Sequence, residues 1–240
     1  MNGADMKPRT LLGVWAHPDD EAYLSAGLMA HWRRRGDRVV VVTATLGEHG
    51  TSDPQSWPPS RLARRRRSEL CASLATLGVH EVRLLGFEDG ECPREDGTAA
   101  IADHIADLAP DRIVTFGPDG ITNHPDHCAV SKWTTDAWAA ISPEAELWYA
   151  TKTPEFHHEF GEINEAIGLW NDQPDPPCTV EHECASLVLD AALLDRKIAA
   201  LRAHASQSLP LIEMMGDDVY RAWVRTEWFR AVEPATVAGR

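Results

Sequence analysis

Residues 38–46 read RVVVVTATL, four consecutive valines followed by Thr43 and Thr45. A strand with one wet face alternates polar and apolar side chains. This run does not alternate, which is the pattern of a strand covered on both faces, as in a parallel sheet. Upstream, LLGVWA (11–16) reads as a second buried strand. Between the two lies AYLSAGLMAHWRRRG (22–36), with Leu24, Leu28, Met29 and Trp32 at helical spacing and Gly36 as its stop.

The alternation continues downstream. RLARRRRSELCASLATLG (61–78) predicts a helix, EVRLLGF (81–87) a strand, TAAIADHIADLA (98–109) a helix and DRIVTFG (111–117) a strand. DHCAVSKWTTDAWAAI (126–141) and ELWYAT (146–151) follow as helix and strand. Strands alternating with helices imply right-handed crossovers and an α/β, Rossmann-like, largely parallel sheet with helices on both faces. Beyond it, NDQPDPPCT (171–179) reads as a loop and LDAALLDRKIAALRAHA (189–205) as an amphipathic helix. YRAWVRTEWFRAV (220–232) reads as a helix leading into a strand, and EPATVAGR (233–240) as a frayed tail. No linker demands a second unit. The expectation is one domain over 1–240, with its core at about 10–150 and a C-terminal elaboration at about 151–232.

Charge narrows the partners. Lys and Arg number 23 against 37 Asp and Glu, a net charge of -14. Nucleic acid and anionic membranes call for a basic surface, so neither is expected. No apolar stretch approaches the ~20 residues of a membrane span, and MNGADMKPRT (1–10) has no leader pattern. The five cysteines never form C-x-x-C and suit a reduced cytoplasm. Cys178, His182 and Cys184 of CTVEHEC match no zinc spacing.

Two clusters carry chemistry. AHPDDE (16–21) lies just past the carboxyl end of the first strand, where open α/β sheets bind ligands. Asp20 as a helix cap accounts for one aspartate but for neither His17 nor Asp19. GPDGITNHPDHCAV (117–130) lies past the carboxyl end of DRIVTFG and offers His124, Asp126 and His127. Two histidines and a carboxylate with an open position make a hydrolytic zinc site, and iron(II) would accept the same set. Spacing does not choose between His124 and His127 as ligand, nor between Asp19 and Asp20.

AHPDDE, TLGEHG (45–50), GFEDGE (86–91) and HPDH (124–127), in that order, resemble the PIG-L/LmbE-like zinc-dependent de-N-acetylases. KIAALRAHASQ (197–207) is similar to a C-terminal helix motif of that family. The resemblance implies hydrolysis of an N-acetylglucosaminyl conjugate to acetate and a primary amine. It implies zinc on His17, Asp20 and His127, Asp19 as general base and His124 as the second catalytic group; Asp126, beside His124, is expected to orient it and raise its pKa. It also implies substrate contacts from Arg66 of the arginine-rich helix and from Asp89; Glu48, past the second strand, joins them as a candidate. His204, Ser206 and Gln207 read as a buried hydrogen-bonded helix end, His157 and His158 as surface residues, and the tryptophans as core, with a sugar-stacking cleft as the alternative for some. The expected partner is a small sugar conjugate; a homo-oligomer is compatible with the sequence. The rival within the same chemistry is an amidase for another amide, such as a thiol conjugate. A non-catalytic sugar-binding relative would lack the catalytic side chains that this chain carries. A nucleotide-binding module would need G-x-G-x-x-G in the first βα turn, where AHPDDEAY has no glycine.

Overall fold

A computed structural model describes residues 7–142, 144–170, 180 and 183–233. Its seven strands form one sheet in the order β3-β2-β1-β4-β5-β7-β6. The valine run is β2 (Arg38–Thr43) and LLGVWA is β1 (Thr10–Trp15), paired in parallel with Leu12 opposite Val40. On its other side β1 pairs in parallel with β4 (Arg112–Phe116), Leu12 opposite Ile113. Every residue of β2 from Val39 to Thr43 is buried, as a strand without alternation requires. β3 (Glu81–Leu84) and β5 (Glu146–Thr151) complete the parallel part.

The chain passes from β1 outward through β2 to β3, then crosses back to β4. The adjacent ends of β1 and β4 are therefore the point where strand order reverses. α1 (Asp20–Arg34), α2 (Pro59–Leu77) and α6 (Ala191–Ala203) pack on one another, and α3 (Thr98–Leu108) packs on α4 (Pro125–Ile141).

Beyond residue 151 the structure holds elements that periodicity did not reveal. α5 (Pro154–Ala166) opens on Thr153, whose hydroxyl accepts from the Phe156 N–H at 3.4 Å. It buries Phe156 and Phe160, four apart, on its inner side. β6 (Ala185–Val188) and α7 (Ala205–Met215) were also not foreseen; Pro210 lies inside α7 and hides the helical signal. α8 (Asp217–Val224) leads into β7 (Thr226–Val232), matching the reading of 220–232. β7 runs antiparallel to β5, so its amino end reaches the edge where the parallel strands end. No described helix is long and apolar enough to cross a membrane. Residues 171–179 and 234–240, with Cys178 and His182, lie outside the described residues.

Candidate metal centre and active site

All five parallel strands send residues from their carboxyl ends into one cavity of about 460 Å³. β1 supplies His17, Asp19 and Asp20; β2 supplies His49 and Gly50; β3 supplies Asp89 and Gly90. The segment after β4 supplies Ile121, Thr122, His124 and His127, and β5 supplies Lys152.

His17 and His127, 110 positions apart, place Nδ1 and Nε2 3.2 Å from one another. The Asp20 carboxylate reaches both, at 3.7 Å from His17 Nδ1 and 3.4 Å from His127 Nε2. Ligand bonds of about 2.0–2.2 Å around a tetrahedral ion put neighbouring donors about 3.4 Å apart. The donor set therefore fits a metal of zinc's size. His124 also brings a ring nitrogen within 4.8 Å of those of His17 and His127.

The far nitrogen of each histidine is spoken for. His127 Nδ1 lies 3.0 Å from the Gly120 carbonyl, so it carries the proton and leaves the Nε2 lone pair facing Asp20. The ring stacks on Phe116 at 4.2 Å. Gly120 has φ +65°, and a Cβ there would stand 2.8 Å from the His127 Cβ. His17 Nε2 faces Asp89 Oδ1 at 3.1 Å and Asp126 Oδ2 at 3.2 Å. Burial works to discharge His17, but its bonds to Asp126 and Asp89 and the Asp20 charge prevail and raise its pKa to about 10. Burial and the positive field of His17 and His124 hold His127 well below the usual histidine range. The pocket thus favours a cation at this point, and a neutral His127 has the lone pair that a metal needs.

Asp126 was expected to orient His124. Its carboxylate instead binds His17 Nε2 and the Gly90 N–H, at 2.7 Å. The reason is local. His124 is the N-cap of α4, and Pro125 opens the helix, so the backbone N–H of Asp126 meets His124 Nδ1 at 3.2 Å. Asp126 raises the His124 pKa, as expected of it, but burial and the His17 charge outweigh that and push the value down.

Asp20 does not cap α1; its Oδ2 accepts from the His17 N–H at 2.8 Å. Asp19 precedes the helix with φ 115°, a left-handed backbone costly for a residue with a Cβ, by roughly 1–3 kcal/mol. Three contacts hold it. Arg66 Nη2 donates to the Pro18 carbonyl at 2.7 Å and lies 3.4 Å from Asp19 Oδ2. The Asp19 N–H donates to Glu21 Oε2 at 2.9 Å. Glu21 in turn meets His204 Nε2 at 2.7 Å, both side chains fully buried. Burial raises the Asp19 carboxyl to about 6 against the pull of Arg66.

Of the expected site residues, His17, Asp19, Asp20, Arg66, Asp89, His124 and His127 line the cavity. Asp126 stands behind His17. Glu48 ties loops together, its Oε1 accepting from the Asp89 N–H at 3.2 Å. Ser206 and His204 form the hydrogen-bonded helix end expected of them, Ser206 Oγ donating to Glu69 at 2.6 Å. His158 is exposed, but His157 is half-buried with its ring 4.6 Å from that of Trp170. Trp223, one of the tryptophans open to a cleft role, also lines the cavity; Tyr23, Lys152, Ile167, Leu169, Leu211 and Val224 line it too and were missed. Only Lys152 had a sequence signal, since it follows a strand end.

Comparison with known proteins agrees with this geometry. The family model described as PIG-L, GlcNAc-PI de-N-acetylase, matches residues 12–138. A 1D-myo-inositol 2-acetamido-2-deoxy-alpha-D-glucopyranoside deacetylase of Mycolicibacterium gilvum is 32% identical, over 84% of this chain and 82% of its own length. The protein of the same name from Acidothermus cellulolyticus is also 32% identical, over 83% and 80%. Among solved structures, the N,N'-diacetylchitobiose deacetylase of Pyrococcus horikoshii superposes with a TM-score of 0.67 at 23% identity, covering 95% of this chain and 85% of that one. The 4-carboxy-2-hydroxymuconate hydratase of Pseudomonas putida shares the fold with a TM-score of 0.62 at 18% identity, covering 93% and 96%. One fold thus carries a hydratase as well as deacetylases, and the reaction must be read from the site. By the match over residues 12–138 and the relatives at 32% identity, the chain belongs to the PIG-L family.

Proposed function

We propose that this chain is a zinc-dependent deacetylase that hydrolyses the acetamide of a GlcNAc-type conjugate to acetate and a primary amine. The observation that carries it is the 3.2 Å approach of His17 Nδ1 to His127 Nε2 with the Asp20 carboxylate beside both. His17, Asp20 and His127 would hold the zinc. Such an ion supplies Lewis acidity toward the acetyl carbonyl and lowers the pKa of water to about 7.

The protein groups supply the rest. Asp19 Oδ2 faces Arg66, which leaves Oδ1 to take the proton of the attacking water and return it to the departing nitrogen. His124 accepts at Nδ1 from the Asp126 N–H, so its proton sits at Nε2, where it donates to the developing oxyanion. Asp89 and Arg66 line the cavity and would meet the sugar hydroxyls there. The conjugates named for the relatives place inositol on the sugar, and the same sugar class is the substrate here. The reaction belongs to the cytoplasm, where Cys71, Cys92 and Cys128 stay as thiols.

The test is direct. Metal-depleted protein is reconstituted with zinc and offered N-acetylglucosaminyl conjugates, with acetate and amine release followed. Activity that appears with zinc and disappears on chelation is expected. Zinc-loaded protein that releases no acetate from any of them overturns the reading.

A further inference from the structure

The cavity lining is of two chemical kinds. Asp19, Asp20, Asp89 and the histidines are the polar part, and Ile167, Leu169, Leu211 and Trp223, all later than β5, are apolar. Lys152 shares this lining, one position past β5 and beside the strand that delivers His124 and His127.

Its ammonium is incompletely satisfied. Nζ lies 4.3 Å from the ring centre of Phe156 and 5.2 Å from that of Trp228. Among the described residues no carboxylate comes within ion-pair distance and no acceptor takes a hydrogen bond from Nζ. The buried acid in its field, Glu227, is already committed. Its Oε1 accepts from the Gly27 N–H and Lys197 Nζ, each at 2.8 Å, and its Oε2 from the Leu28 N–H at 2.9 Å. Burial, with Lys197 adding to it, lowers the Lys152 amine to about 7. Ring faces attract a cation but accept no conventional hydrogen bond. A buried lysine normally has a partner, and Lys152 is among the residues that line the cavity.

Resting on the deacetylase reading, we propose that Lys152 is a specificity residue that binds a carboxylate on the aglycone of the substrate, whose apolar body packs on Ile167, Leu169, Leu211 and Trp223. Charge fixes the direction of binding. An anion is repelled by Asp19, Asp20 and Asp89 and drawn to Lys152, which leaves the acetamide at the histidines. A single cation matches a monoanion, and the apolar wall matches an aryl or alkyl spacer better than a polyol.

The test uses two probes, the phenyl and 4-carboxyphenyl 2-acetamido-2-deoxy-α-D-glucopyranosides. Binding to the zinc-loaded Asp19→Asn protein is measured by calorimetry, and acetate release by the zinc-loaded wild type is measured separately. The carboxylate probe is expected to bind roughly 10-fold or more tightly, the scale of a charge-assisted hydrogen bond in a protected site. In Lys152→Met that ratio falls to about 1, and in Lys152→Arg it stays clearly above 1. Equal binding of the two probes by the protein with Lys152 intact overturns the inference without any substitution at 152, and so does a ratio that survives Lys152→Met. Turnover without discrimination overturns the role of Lys152 alone. Discrimination without turnover overturns the deacetylase reading alone, and neither binding nor turnover overturns both.

Discussion

Asp19 joins chemical demand to conformational cost. Its φ of 115° aims a carboxylate beside, rather than into, the cluster of His17, Asp20 and His127. Asp19→Asn keeps the shape and removes the base. It is expected to retain zinc, measured by metal analysis, while acetate release falls by about 10²–10⁴-fold. Asp20→Ala and His127→Ala are expected to lose the metal itself. The identity of these residues was legible in AHPDDE and HPDH; their division of labour was not. Which of two neighbouring aspartates turns toward His127 depends on one backbone torsion, and no residue type announces a positive φ at an aspartate. The carboxylate of Asp126 was hard to place for a similar reason. A side chain next to His124 in sequence meets His17, more than a hundred positions away, because the helix cap takes the Asp126 N–H.

The loop after β2 and the start of α1 show how elements brace that torsion. Gly47 has φ +61°, and a Cβ there would come within 2.1 Å of Arg66 Nη1, which donates to the Gly47 carbonyl at 2.8 Å. Gly47→Ala would strain the backbone and displace the guanidinium that holds Pro18. A loss of roughly 1–3 kcal/mol is expected in urea unfolding, together with lower turnover. Beneath α1 the buried Glu21–His204 pair ties it to the junction of α6 and α7. Removing one partner leaves the other buried alone, so His204→Gln is expected to cost about 3–5 kcal/mol. The pH dependence has a definite sign. Burial lowers the His204 pKa, but Glu21 and Asp19 overcome burial and the opposing Arg66, so the folded value lies above 6.5. Its contribution is complete below pH 6.5 and fades as pH rises through the folded value. The gap in unfolding free energy between wild type and His204→Gln should therefore narrow with rising pH; a gap that widens would refute the pairing.

Across the molecule, the amino-terminal five strands were legible because unbroken valine runs and strand–helix alternation leave few topologies. α5 and α7 were not, since a short capped segment and a proline-bearing helix carry weak periodicity and form by packing on what is already there. The cavity depends on all of it, so the ion should report on global stability. Zinc at 100 times its dissociation constant adds about 2.7 kcal/mol to the folded state. Chelation is then expected to lower the melting temperature by roughly 5–10 °C in scanning calorimetry, with recovery on adding zinc back.

The cavity is built by two stretches of chain with separate duties. Every residue proposed for bond breaking precedes residue 128, while Lys152, Ile167, Leu169, Leu211 and Trp223 come later. On the proposed roles, substitutions at these five later positions would change which molecules are admitted without altering how they are cut. Descendants of one ancestral hydrolase could thus diverge in clientele while the machinery of cleavage stays fixed.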